Sequence, residues 1–152
     1  MKLLVIDDEP QILEMIEKNL GQEFEIVTAN CAEDALDILL IYKPDAIVVD
    51  FVLPDMTGAD FSKRIRKNLK FDYVPIIILT ASESHTTVHA SYQSGADALL
   101  EKPITIEEIR TTIKKLVEGQ RFSKAILKRL YRDKYNKKKV ADEEPQNPDN
   151  PE

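Results

Sequence analysis

One cysteine, Cys31, stands among the 152 residues, so no intramolecular disulfide is possible. That usage fits a reducing cytoplasm. No apolar run approaches the roughly 20 residues that cross a bilayer. The stretch from Met1 to Asp8 turns acidic too early for a secretory leader, so the reading is a cytoplasmic chain without a membrane span. Glycine is scarce, at four residues. None forms a Gly-x-x-x-x-Gly-Lys or Gly-x-Gly-x-x-Gly run, so nucleotide binding has no support. Positive charge is outnumbered by negative, at 21 Lys+Arg against 27 Asp+Glu, and outweighs it in one segment. The formal charge of -6 divides into -9 over residues 1–118, +8 over 119–140 and -5 over 141–152. The body and the tip repel nucleic acid, and only the segment between them attracts it.

What is present is organised around Ala46-Ile47-Val48-Val49-Asp50 and the following Phe51-Val52-Leu53-Pro54-Asp55. A run of apolar residues rich in valine reads as a strand covered on both faces. It ends on an acid and a Pro-Asp turn. Similar short runs end at Asp7-Asp8 (from Leu3), near Thr28 (from Phe24), at Thr80 (from Pro75) and at Leu100 (from Asp97). Helical spacings alternate with them. Pro10 opens a helix over Ile12, Leu13, Ile16 and Leu20, with Gly21 as its stop. Asn30-Cys31-Ala32-Glu33 reads as a capping box before Ala35, Leu36, Leu39 and Leu40. Thr57 is the expected cap of a helix with the stripe Phe61, Ile65 and Leu69. A weakly amphipathic helix over Glu83–Ser94 carries Val88 and Tyr92. Thr105-Ile106-Glu107-Glu108 is a second capping box, before Ile109, Ile113 and Leu116. Five alternations predict an α/β fold, a doubly wound five-stranded parallel sheet with helices on both faces.

In such a sheet the chemistry sits beyond the carboxyl ends of the strands. Asp7, Asp8, Asp50, Thr80 and Lys102 all fall at that edge. Crowded carboxylates repel one another, and a divalent cation relieves the repulsion. Hard oxygen ligands without protein nitrogens suit Mg²⁺. Lys102 supplies a point positive charge and Thr80 a rotatable hydroxyl. Carboxylate nucleophile, metal, cation and hydroxyl together form the parts of a phosphoryl-transfer site.

Those residues, in that order, make residues 1–118 resemble the receiver domain of two-component response regulators. The resemblance implies the flavodoxin-like strand order 2-1-3-4-5. It implies that a histidine kinase or histidine phosphotransfer protein phosphorylates Asp50, and that a downstream protein target reads the result. Mg²⁺ would be held by Asp7, Asp8, Asp50 and the backbone carbonyl of Val52. Lys102 would pair with a phosphoryl oxygen, set by a cis bond to Pro103. The switch would run through Thr80, Ala81 and Leu99. Leu99 departs from the family, which usually carries Tyr or Phe three residues before the lysine. The chain would not be an enzyme beyond supporting its own phosphorylation and dephosphorylation.

Two other readings stay open. A carboxylate-nucleophile phosphohydrolase would use the same acids, although no second acid lies two residues beyond Asp50. A constitutive adaptor would keep the fold without phosphorylation. Residues 119–140 read as a basic helical extension with Phe122, Ile126, Leu127 and Leu130 on one stripe. It is too short for a DNA-binding output domain, so no specific DNA binding is expected, and a homodimer through the last receiver helices or this extension is an option. Residues 141–152 read as a disordered acidic, Pro-rich tail. His85 and His89, four apart, lack a third metal ligand and read as solvated or partner-facing, and Cys31 reads as a small packed thiol.

Overall fold

The structure is a computed structural model that describes residues 1–120 except Glu83. Strands β1 (Lys2–Ile6), β2 (Glu25–Ala29), β3 (Ala46–Asp50), β4 (Ile76–Thr80) and β5 (Ala98–Glu101) alternate with helices α1 (Pro10–Leu20), α2 (Ala32–Ile41), α3 (Gly58–Arg66) and α4 (His85–Gln93). A fifth helix, α5, covers 106–120. All neighbouring strands pair in parallel, in the order β2-β1-β3-β4-β5. The register sets Ile6 beside Val49 and Thr80 beside Glu101. One residue further on, Asp7 and Asp50 leave adjacent strands at one edge.

Alternation along each strand builds two cores. Leu4, Ile6, Ile47, Val49, Ile76 and Ile78 face α2 and α3, where Ala35, Leu39, Phe61 and Ile65 meet them. Leu3, Val5, Val48, Ile77 and Leu79 face α1 and α5, meeting Ile16, Leu20, Ile109 and Ile113. Every residue of β3 and β4 is buried, which explains why they read as unbroken apolar runs.

Several helix stripes differ from the sequence reading. Leu40 and Ile41 are 82% and 92% exposed, so α2 packs through Ala32, Ala35 and Leu39 instead. α3 stops at Arg66, and Leu69 falls in a short 3-10 turn where it is 81% exposed. Arg66 helps to hold that stop. Its guanidinium donates to the carbonyls of Phe71 and Val74 and to Asp97. Asp97 also accepts from the Ile76 amide, so it anchors the start of β5 from outside the strand. Tyr92 is exposed, and Ser91 is the buried residue of α4. The cap of α2 is Cys31 rather than Asn30, its sulfur accepting from the Asp34 amide at 3.5 Å. Thr57 caps α3 through the Asp60 amide, and Thr105 and Glu108 form the reciprocal capping box of α5. His85 and His89 lie exposed with their rings stacked, centroids 6.3 Å apart. From residue 121 onward, the basic extension and the tail lie outside the described residues.

Candidate functional site

Parallel strands β1 and β3 release their chains side by side at the carboxyl edge, so Asp7 and Asp50 converge without any long-range search. Asp7 is 1% exposed and Asp50 7%. Asp8 follows Asp7 on the solvent side. One carboxylate oxygen from each of Asp7, Asp8 and Asp50 lies within 4.8 Å of the others. β5 then delivers Lys102 from across the sheet. Its Nζ stands 3.2 Å from Asp7 Oδ2, 3.2 Å from Asp50 Oδ1 and 3.3 Å from Glu9 Oε1. The Lys102–Pro103 bond is cis.

The electrostatics are those of an under-compensated anion cluster. Burial pushes the Asp7 carboxyl above the usual carboxylate range, against the Glu9 amide and Lys102, which pull it down. Burial and the neighbouring Asp7 charge push Asp50 the same way, again against Lys102. For Lys102, burial works against the charge, but Asp50 and Asp7 together outweigh it and hold the ammonium above its ordinary value. One cation thus serves Asp7, Asp50 and Glu9 with Asp8 beside them, and the remaining charge is what a hard divalent ion would neutralise. The donor set is oxygen only, which fits Mg²⁺ rather than a nitrogen- or sulfur-seeking metal.

The loop after Asp50 is pinned from behind. The Gly58 amide donates to the Phe51 carbonyl at 2.7 Å, and a Cβ on Gly58 would come within 2.5 Å of the Asp50 carbonyl oxygen. Only glycine lets α3 start this close to the acceptor strand. Val52 pairs with Thr57 in a single antiparallel bridge across this loop and exposes its side chain. Asp55, at the far end of the loop, accepts from the Ala32 and Glu33 amides at 3.1 and 2.8 Å. The sequence showed Pro54-Asp55 as a turn, and gave no sign that the carboxylate caps a helix more than twenty residues earlier. Glu9 was likewise missed as a partner of Lys102; its only signal was its place beside the acid pair.

Thr80 lies at the end of β4, buried, with its hydroxyl turned to its own loop. It donates to the Ser82 carbonyl at 2.9 Å and accepts from the Ser82 amide at 3.1 Å. Ala81 beside it is exposed. Leu99, on β5, is half-buried against the core that α2 and α3 cover. The structure therefore groups Asp7, Asp8, Asp50 and Lys102 directly, and sets Thr80 at the end of β4, Ala81 in the loop just after it and Leu99 on β5.

Comparison with known proteins gives one family. The model described as "Response regulator receiver domain" matches residues 3–114. Response regulator Rre1 of Synechocystis sp. is 30% identical over 125 residues, covering 81% of this chain and 54% of that protein. The alkaline phosphatase synthesis transcriptional regulatory protein PhoP of Bacillus subtilis is 33% identical over 118 residues, covering 76% and 48%. The chain spans about half the length of these curated relatives. Among solved structures, chemotaxis response regulator CheY4 of Vibrio cholerae is similar at a TM-score of 0.71 and 29% identity, covering 76% of this chain and 97% of that one. The receiver domain of Francisella response regulator 1452 is similar at 0.71 and 28%, covering 78% and 97%.

Proposed function

The chain belongs to the response regulator receiver domain family, and we propose that it is a phospho-accepting signalling protein whose acceptor is Asp50. The observation that carries this reading is the convergence of Asp7, Asp8 and Asp50 with Lys102 at one strand edge. In the proposed reaction an Asp50 carboxylate oxygen forms a P–O bond as the P–N bond of a partner's phosphohistidine breaks. Lys102 already touches Asp50 from one side and supplies N–H donors to the incoming phosphoryl oxygens. Asp7 and Asp8, with the Val52 carbonyl, would hold Mg²⁺, which when bound offsets charge on the transferring group. Thr80 would exchange its bonds to Ser82 for a phosphoryl oxygen, drawing Ala81 and its loop with it, and Leu99 would follow the space it leaves.

The donor would be a histidine kinase or a histidine phosphotransfer protein in the cytoplasm, and the output a protein–protein contact of the switch surface. The phosphohydrolase reading gains nothing from the geometry. The residue two beyond Asp50 is Val52, which offers no group to protonate a leaving oxygen. Incubation with acetyl phosphate and Mg²⁺ followed by intact mass tests the proposal. The wild-type chain gains one phosphoryl group, and Asp50→Asn gains none. An adduct that persists in Asp50→Asn moves the acceptor elsewhere, and no adduct on either chain removes the reading.

A further inference from the structure

The outer face of α2 and α3 carries three large apolar side chains that its own core does not cover. Leu40, Ile41 and Leu69 are each more than four-fifths exposed. Leu40 lines a groove of about 390 Å³ between the two helices, and Ile41 and Leu69 stand next in sequence to its lining residues Leu40, Asn68 and Lys70. The charges along that groove are sorted by helix. α2 presents Glu33 and Asp37 and has no basic residue in its last turn. α3 presents Lys63 and Arg64 and continues into Lys67, with no acid after Asp60. The two rows lie at matching heights. Arg64 pairs with Glu33 at 2.9 Å, both side chains more than half exposed. Below that pair, Asp37 and Leu40 line the groove opposite Asn68 and Lys70.

This arrangement complements itself. A two-fold axis laid along the groove sets α2 of one copy over α3 of the other at the same height. Glu33 and Asp37 then face Arg64 and Lys67 of the second copy, and Leu40 and Ile41 face its Leu69. Acidic meets basic and apolar meets apolar in both halves at once. A partner of a single charge sign would meet repulsion on one of the two helices, so the sorted charge selects a second copy. We propose that the α2–α3 face is a homodimer interface of this chain, with Leu40, Ile41 and Leu69 as its apolar anchor. Two helix faces of this length fall at the small end of stable interfaces, so the dimer is weak and concentration-dependent. The face is distinct from the last receiver helices considered from the sequence, and its formation needs no phosphorylation.

Sedimentation velocity on the full chain over a wide concentration range tests this. Glu33→Lys with Asp37→Lys makes the face predominantly basic, and Arg64→Glu with Lys67→Glu makes it predominantly acidic. All four positions are exposed, so both variants keep the native unfolding transition. Each alone weakens self-association by about tenfold or more. Mixed in equal amounts they associate at least as tightly as the wild type. Glu14→Lys with Glu17→Lys on α1 supplies the same charge change elsewhere, and mixing it with the acidic-face variant gives no such recovery. Leu40→Glu also abolishes association. A wild-type chain that stays monomeric throughout overturns the proposal, as does recovery with the α1 variant. A loss of stability on Leu40→Glu in a chain that stays monomeric also overturns it, because another part of the same chain would then cover the face.

Discussion

Asp50 shows how a single residue carries both the chemistry and a cost. Its carboxyl and that of Asp7 are held above the ordinary range by burial, with Asp7 adding repulsion at Asp50. The folded state therefore binds these protons more tightly than the unfolded chain does. Their contribution favours folding below the unfolded carboxylate value and is lost as pH rises through the raised folded value. At neutral pH, without a divalent ion, the full penalty is present. Asp50→Asn in chelator should raise Tm at pH 7 by a few degrees, the size of change that about 1 kcal/mol produces in a domain of this length. That advantage should shrink as pH falls toward 4. A variant that melts lower than wild type at pH 7 would contradict this account of the site. Gly58 makes an opposite case at the same scale. Gly58→Ala drives a Cβ against the Asp50 carbonyl, and urea unfolding should show a loss of about 1–3 kcal/mol. Acetyl phosphate labelling should slow with it, because the strand end that carries the acceptor must move.

Among the elements, α2 and the loop after β3 are tied through one side chain. Asp55 satisfies the Ala32 and Glu33 amides, two of the unpaired donors at the start of α2. Asp55→Ala should cost about 1 kcal/mol in chemical denaturation, and Asp55→Asn should recover only part of it, because its single acceptor oxygen serves one of the two amides. An Asp55→Ala variant as stable as the wild type would contradict this tie. α4 lies at the other extreme. Ser91 is its one buried residue among those described, and its N-terminus depends on the Ser84 cap. Few buried apolar contacts make it the helix that opens most readily. Its amides should exchange fastest of all five helices, and beryllofluoride with Mg²⁺ should change exchange over residues 84–100. An unchanged pattern would remove the switch through Thr80 and Leu99 while leaving Asp50 phosphorylation untouched.

For the whole molecule, the acid cluster links stability to metal. A ligand that binds only the folded state stabilises it by mass action, by about 2.7 kcal/mol at a hundredfold excess over Kd. Tm should therefore climb with Mg²⁺, and Asp8→Ala should flatten that climb, although Asp8 contributes no buried packing. A climb of the same size in Asp8→Ala would place the ion elsewhere. Among the described residues no helix is long and apolar enough to cross a membrane. The sheet's two covered faces account for nearly all of the buried apolar side chains.

The parallel direction of the strands, the doubly covered sheet and the identity of the edge acids were legible in the chain itself, whereas the strand order came only with the family resemblance. Buried strands show as unbroken apolar runs, and polar residues that interrupt them stand out at once, as Asp7, Asp50 and Thr80 did. Helix stripes were less legible, because spacing alone gives the same weight to Leu39, which packs, and to Leu40, which faces water. Leu69 continued the stripe of α3 on paper, but Arg66, bonded to Phe71, Val74 and Asp97, ends that helix first. Distances between side chains were beyond reach of the sequence for a simple reason. Lys102 meets Asp7 across 95 positions, and Asp55 meets Ala32 across 23, only because the folded sheet brings separate loops to one edge. Composition and periodicity record which residues leave water; the partner each polar group finds there is decided by packing, which exists only once the chain is closed on itself.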